Sequence, residues 1–136
     1  MAKHSHEKFG TTLSCIDGRA IIAAHDWMRK HCDVQYIDSL TEPGMDGWLG
    51  NMSPEQRMWL KHKIEISTMG HGSRIITVVG HDECAGNPVS PEKHHVEVKQ
   101  GVSLVQDLLR ELDILDAEVI PLWAQMIGGR WVAERI

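Results

Sequence analysis

Along this chain, short runs of apolar residues alternate with apolar stripes at three-to-four spacing, which predicts strands and helices in turn. Residues 11–16, with Leu13 and Ile16, read as a buried strand that closes near Asp17 and Gly18. Residues 20–31 then place Ile21, Ala24, Trp27 and Met28 on one helical face. Residues 33–38, with Val34, Tyr36 and Ile37, predict a second strand. The stretch 39–52 holds Pro43, Gly44, Gly47 and Gly50 and reads as one long loop, a length often reserved for function. Ser53-Pro54-Glu55-Gln56 is a helix start: a Ser cap, Pro at the first helical position and Gln to complete a capping box. That helix is expected to reach Met69, stop at Gly70, and bury Trp59, the Lys63 stem and Ile66, with Leu60 and Ile64 alongside. Residues 74–79 carry the β-branched run Ile75-Ile76-Thr77-Val78-Val79, which predicts a central strand buried on both faces. Ser90-Pro91 opens another helix, whose Val98, Val102, Val105, Leu109 and Leu112 form the best apolar stripe in the chain. Residues 117–122 predict a fourth strand, and residues 125–133 a short strand or hairpin through Gly128-Gly129.

Strand–helix alternation of this kind predicts an α/β domain: a mostly parallel sheet of four to five strands, in the common order 2-1-3-4, flanked by helices. One domain over residues 1–136 is expected, with residues 1–8 as a flexible arm. Composition adds limits to this frame. With 42% apolar and 24% charged residues and no apolar run near the roughly 20 residues of a membrane span, no membrane insertion is expected. The formal charge of -5, without a basic block, gives no reason to expect nucleic acid or an anionic membrane as partner. Three cysteines, an odd number, and an apolar-poor start at Met1-Ala2-Lys3-His4 suggest a reducing cytoplasm and not a disulfide framework. His4 and His6 are read as part of a solvated tail.

The chemistry concentrates in two places. Cys15-Ile16-Asp17-Gly18-Arg19 ends the first strand, and Gly80-His81-Asp82-Glu83-Cys84 follows the central one. In an open parallel sheet, ligands gather beyond the carboxyl ends of strands where strand order reverses. If the two strands are neighbours, both motifs meet at one edge. Two thiols and an imidazole then offer three ligands for a catalytic zinc with an open fourth position. Asp17 could fill that position in a closed form, or pair with the planar fork of Arg19 and leave it to water.

Cys-x-Asp-x-Arg followed by His-x-x-Cys, in this order, resembles the pattern of the β-class carbonic anhydrases, over the chain from about Phe9 onward. The resemblance implies Cys15, His81 and Cys84 as zinc ligands, Asp17 as the gating or proton-handling carboxylate, and Arg19 as its orienting partner. It implies reversible hydration of carbon dioxide to bicarbonate by a zinc-bound hydroxide, and a homodimer or higher homo-oligomer. A related carbon disulfide or carbonyl sulfide hydrolase, or a non-catalytic zinc-stabilised binding or regulatory domain, would use the same metal set. The chain departs from the family in the segment after its second strand: Asp38-Ser39-Leu40-Thr41-Glu42-Pro43-Gly44 stands where an Arg-Asn-Ala-Gly type segment is usual. It also has Ala85-Gly86 where Gly commonly follows the second cysteine at once.

Several other residues have plainer expectations. Cys32 is expected to be buried filler, His94 and His95 to lie on a solvated helix face, and Asp82 and Glu83 to be loop acids. Trp48 is expected in the core or at the border of the pocket. Cys15 and Arg19 stand too close together for a cysteine-phosphatase anion loop, which would in any case leave His81 and Cys84 unused.

Overall fold

A computed structural model describes residues 7–136. Its elements are β1 (Phe9–Ser14), α1 (Gly18–His31), β2 (Tyr36–Thr41), α2 (Met45–Leu49), α3 (Pro54–Glu65), β3 (Ile75–His81), α4 (Pro91–Glu111), β4 (Glu118–Ile127) and β5 (Arg130–Arg135). A π-helical turn, Ile66–Gly70, prolongs α3. The sheet runs β2-β1-β3-β4-β5, with every pair parallel except β4 and β5. The expected order 2-1-3-4 is present, extended by an antiparallel edge strand that turns at Gly128 and Gly129, both at positive φ.

Strand geometry explains why the sheet needs helices on both faces. Successive side chains alternate sides, so β3 sends Ile76 and Val78 into one cluster with Val98, Val105 and Leu108 of α4. It sends Val79 into the other, with Ala23 and Ala24 of α1 and Ile120 and Leu122 of β4. Gly101 lets α4 approach closely, since a Cβ there would stand 3.1 Å from Val78 Cγ1 on the central strand. Among the described residues no helix is long and apolar enough to cross a membrane.

The predicted caps are present. Ser53 accepts from Gln56 N–H at 3.1 Å while Gln56 Oε1 accepts from Ser53 N–H at 2.9 Å, and Ser90 caps α4. Several expectations need correction. The first strand spans Phe9–Ser14 and the second Tyr36–Thr41, because the carbonyl of Lys8 accepts from Gln35 and Tyr36 N–H and sets the register from Phe9↔Tyr36 onward. Residues 1–6 of the expected arm lie outside the described residues. The long loop contains α2, which is too short and too glycine-rich to show a period. In α3 the inward pair is Leu60 and Ile64, four apart, whereas Trp59 is 59% exposed and Ile66 49%. Trp59 stays at the surface with the Lys63 ammonium 5.7 Å from its ring.

Candidate metal centre

Cys15 lies one residue beyond β1, and His81 is the last residue of β3, the neighbouring strand. Both therefore emerge at one edge of the sheet, as expected of adjacent parallel strands. Cys84 arrives by a tight turn. Asp82 N–H bonds the Ala124 carbonyl at 2.9 Å, and Glu83 adopts a left-handed φ of 57°, which folds the chain back. The result is a Cys84 Sγ to Cys15 Sγ separation of 4.0 Å, and the three candidate donor atoms all lie within 4.8 Å of one another. Two sulfurs bound to one tetrahedral zinc at about 2.3 Å would stand roughly 3.8 Å apart. Cys15, His81 and Cys84 are all buried, and the thiols are unlinked.

Two observations test whether these residues fit a cation. His81 Nδ1 lies 2.7 Å from the carbonyl of Asp82, which can only accept, so Nδ1 carries the proton. Its Nε2 is buried without a hydrogen-bond partner, an arrangement that otherwise costs free energy and that a metal would relieve. The Cys84 thiol is pushed up to about 11, first by burial and then by the charge of Cys15. A cation beside the Cys84 thiol would offset that cost. The donor set fits zinc.

Asp17 caps α1, its Oδ1 accepting from Arg19 N–H at 2.9 Å. The same arginine closes on the carboxylate through Nε, at 3.1 and 3.2 Å, and Nη2, at 2.7 Å. Asp17 is held down to about 2, chiefly by the Arg19 side-chain hydrogen bonds, with burial opposing and the nearby His81 adding to the fall. Arg19 Nη1 also donates to Glu83 Oε1 at 3.1 Å, so Glu83, expected as a plain loop acid, joins this group.

The sequence of this chain matches the family model described as "Putative carbonic anhydrase" over residues 5–135. The chain belongs to that family. Its fold is similar to that of β-carbonic anhydrase isoform I from Trichomonas vaginalis, with a TM-score of 0.52 at 13% identity, covering 95% of this chain and 84% of that one. A carbonic anhydrase from Streptococcus mutans matches at a TM-score of 0.51 and 14% identity, covering 96% and 82%. None of the curated proteins matches the sequence. Within the carbonic anhydrase family, then, this chain brings its Cys, His and Cys together at the strand ends, with Asp17 and Arg19 paired beside them.

Behind the centre lies a cluster that the sequence expectations missed. His94, expected on a solvated face, is 2% exposed and bonds Asp46 through Nδ1 at 2.5 Å. Burial pushes the Asp46 carboxyl up, but the bonds from His94 and Asn87 and the His94 charge outweigh it and hold it low. Asn87 Nδ2 donates to Asp46 Oδ1 at 3.0 Å and to Glu97 Oε1 at 3.1 Å. Asp46, His94 and Glu97 bring ligand-type atoms within 4.8 Å of one another, and direct bonds already occupy both Asp46 oxygens, His94 Nδ1 and Glu97 Oε1. The cluster ties α2 to α4 and to the loop after Cys84. Gly44, in a left-handed φ of 60°, presents its N–H to Cys15 Sγ at 3.4 Å. One signal was available: His94 stands four before Val98, in line with the inward stripe of α4.

The loop after β2 forms one wall of a separate groove of about 250 Å³, lined by Leu40, Met45, Trp48, Trp59, Leu60 and Lys63. Trp48 therefore packs against the core and borders a groove, although none of the three candidate ligands lines it.

Proposed function

We propose that Cys15, His81 and Cys84 hold one zinc ion and that the protein catalyses the reversible hydration of carbon dioxide to bicarbonate. The observation that carries this is the buried Cys-His-Cys convergence around a histidine nitrogen left without a partner, in a chain of the carbonic anhydrase family. When bound, zinc supplies Lewis acidity, turning water into a nucleophile near neutral pH. The chain's own residues supply the rest. The Asp82 carbonyl fixes the His81 tautomer, leaving Nε2 free to ligate. Gly44 N–H gives Cys15 Sγ a hydrogen bond that orients it and tempers its charge. Asp17, which Arg19 keeps ionised across the working pH range, is placed to orient water by accepting its hydrogen bond at a carboxylate oxygen; a carboxyl held this low positions the water and does not keep its proton. Arg19 keeps that carboxylate oriented. The same proposal carries one domain over residues 1–136, a cytoplasmic location and a homodimer or higher homo-oligomer.

The test is exchange kinetics of carbon dioxide and bicarbonate on the zinc-loaded protein, beside Asp17→Ala and Cys15→Ser. The parent is expected to turn over. Asp17→Ala should lose about 10²-fold or more with zinc retained, and Cys15→Ser should lose the metal as well. A zinc-loaded parent without turnover at any pH would instead identify a binding domain. Activity only on carbon disulfide or carbonyl sulfide would reassign the substrate.

A further inference from the structure

Three segments of the chain converge on one side chain, Arg19, and its whole guanidinium is engaged. Nε and Nη2 go to Asp17, and Nη1 goes to Glu83 Oε1 at 3.1 Å. The guanidinium carbon lies 4.6 Å from the ring centroid of Trp131, over its face. Trp131 comes from β5, opposite Met126 of β4, and its ring also meets His81 edge-on at 6.3 Å. Glu83 sits between His81 and Cys84, in the turn made by its left-handed backbone. Both carboxylate oxygens of Asp17 are in turn occupied by Arg19.

We propose that Trp131 and Glu83 are positioning residues that hold Arg19, and through Arg19 hold Asp17, away from the fourth place around the ion. The proposal rests on the zinc site described above. Its physical basis is preorganisation. An exposed ion pair is weak because two mobile side chains must be ordered to make it. Arg19 is 44% exposed, but it is already ordered by an aromatic face on one side and a second carboxylate on another. Asp17 therefore meets a fixed fork, and turning toward the ion would leave that fork's charge behind in place. With the grip removed, Arg19 moves freely, its pair with Asp17 loosens, and Asp17 competes for the ion. Trp131 and Glu83 thus set how open the centre stands to small molecules without touching the reacting atoms.

The experiment uses the cobalt-loaded full chain and reads binding of azide from the visible spectrum. Each contact is expected to be worth about two- to fivefold, so Trp131→Ala with Glu83→Gln should weaken azide about tenfold. Adding Asp17→Asn should restore azide binding, because the competing carboxylate charge is gone. Trp131→Phe, which keeps an aromatic face, should stay near the parent. A general loss of packing would not be repaired by Asp17→Asn, so this rescue separates positioning from a structural role. Parent-like azide affinity in the double variant, or no recovery with Asp17→Asn, overturns the proposal. The grip itself is read without metal by dicarbonyl labelling of Arg19, followed by peptide mass, which should quicken about tenfold in the double variant. If the parent binds neither cobalt nor zinc, the zinc site fails and the gating role fails with it. An unchanged labelling rate defeats the grip whether or not metal binds.

Discussion

Gly44 and Gly86 show how narrowly the centre is built at the level of single side chains. A Cβ at position 86 would stand 2.6 Å from Gly44 N and 2.8 Å from the carbonyl carbon of Pro43, both backbone atoms that cannot swing aside. Gly86→Ala should therefore displace the turn that brings Gly44 N–H to Cys15 Sγ. Overpacking of this kind costs about 1–3 kcal/mol of stability. Zinc affinity should fall about tenfold with it, as is usual when a partner of a ligand is lost. Urea midpoints and a chelator competition check the two effects; parent values in both would mean that the backbone yields. The departure at Ala85-Gly86 thus shifts the small residue by one place while the close approach depends on it.

Between helices, the informative contact is Glu111 at the end of α4. It accepts from Arg57 Nη2 at 2.5 Å, Arg57 Nη1 at 3.1 Å and Lys61 Nζ at 3.2 Å, joining α4 to α3. These bonds, Arg57 first, hold its carboxyl down to about 2. A folded-state value below the unfolded one of about 4.3 gives stability that is complete above that pH and is lost as pH falls toward about 2. Asp17 titrates in the same window and in the same direction. Thermal melts between about pH 2 and 5 should show stability rising with pH. Glu111→Gln should flatten that rise, leaving the share due to Asp17 and Asp46. Equal slopes for parent and variant would show that the Glu111 bonds do not persist in solution. The helices themselves were legible where local chemistry marks them: Ser53-Pro54 and Ser90-Pro91 start α3 and α4 as expected. The inward face of α3 was not, because Trp59 is as apolar as Leu60 and only the position of β2 and α4 chooses between them.

For the whole molecule, the proposed metal centre should act as a staple. Cys15 and Cys84 are 69 positions apart, and they converge only when β1 and β3 are paired, so an ion bound there binds the folded chain alone. At about 100 times its dissociation constant, zinc should add about 2.7 kcal/mol of stability. Thermal melts of chelator-treated protein with and without zinc should therefore separate by several degrees. Cys84→Ser should abolish the separation. A zinc-independent melting temperature in the parent would speak against the site.

The alternation of strands and helices, the caps, and the placing of the two Cys/His motifs at neighbouring strand ends were all readable in advance. Each is written in neighbouring residues, through backbone preferences, side-chain period and the limited set of groups that bind zinc. The parallel order of the sheet followed, since crossovers between such elements have few geometries. Other features waited on folding: the burial of His94 against Asp46, the close approach of Gly44 to Gly86, and the three-sided hold on Arg19. These are contacts between positions distant in the chain, made of residue types that are common at surfaces. Cys15-Ile16-Asp17-Gly18-Arg19 could reveal a candidate ligand and a carboxylate with its arginine. Which partners hold that arginine depended on where β5 and the Glu83 turn come to lie.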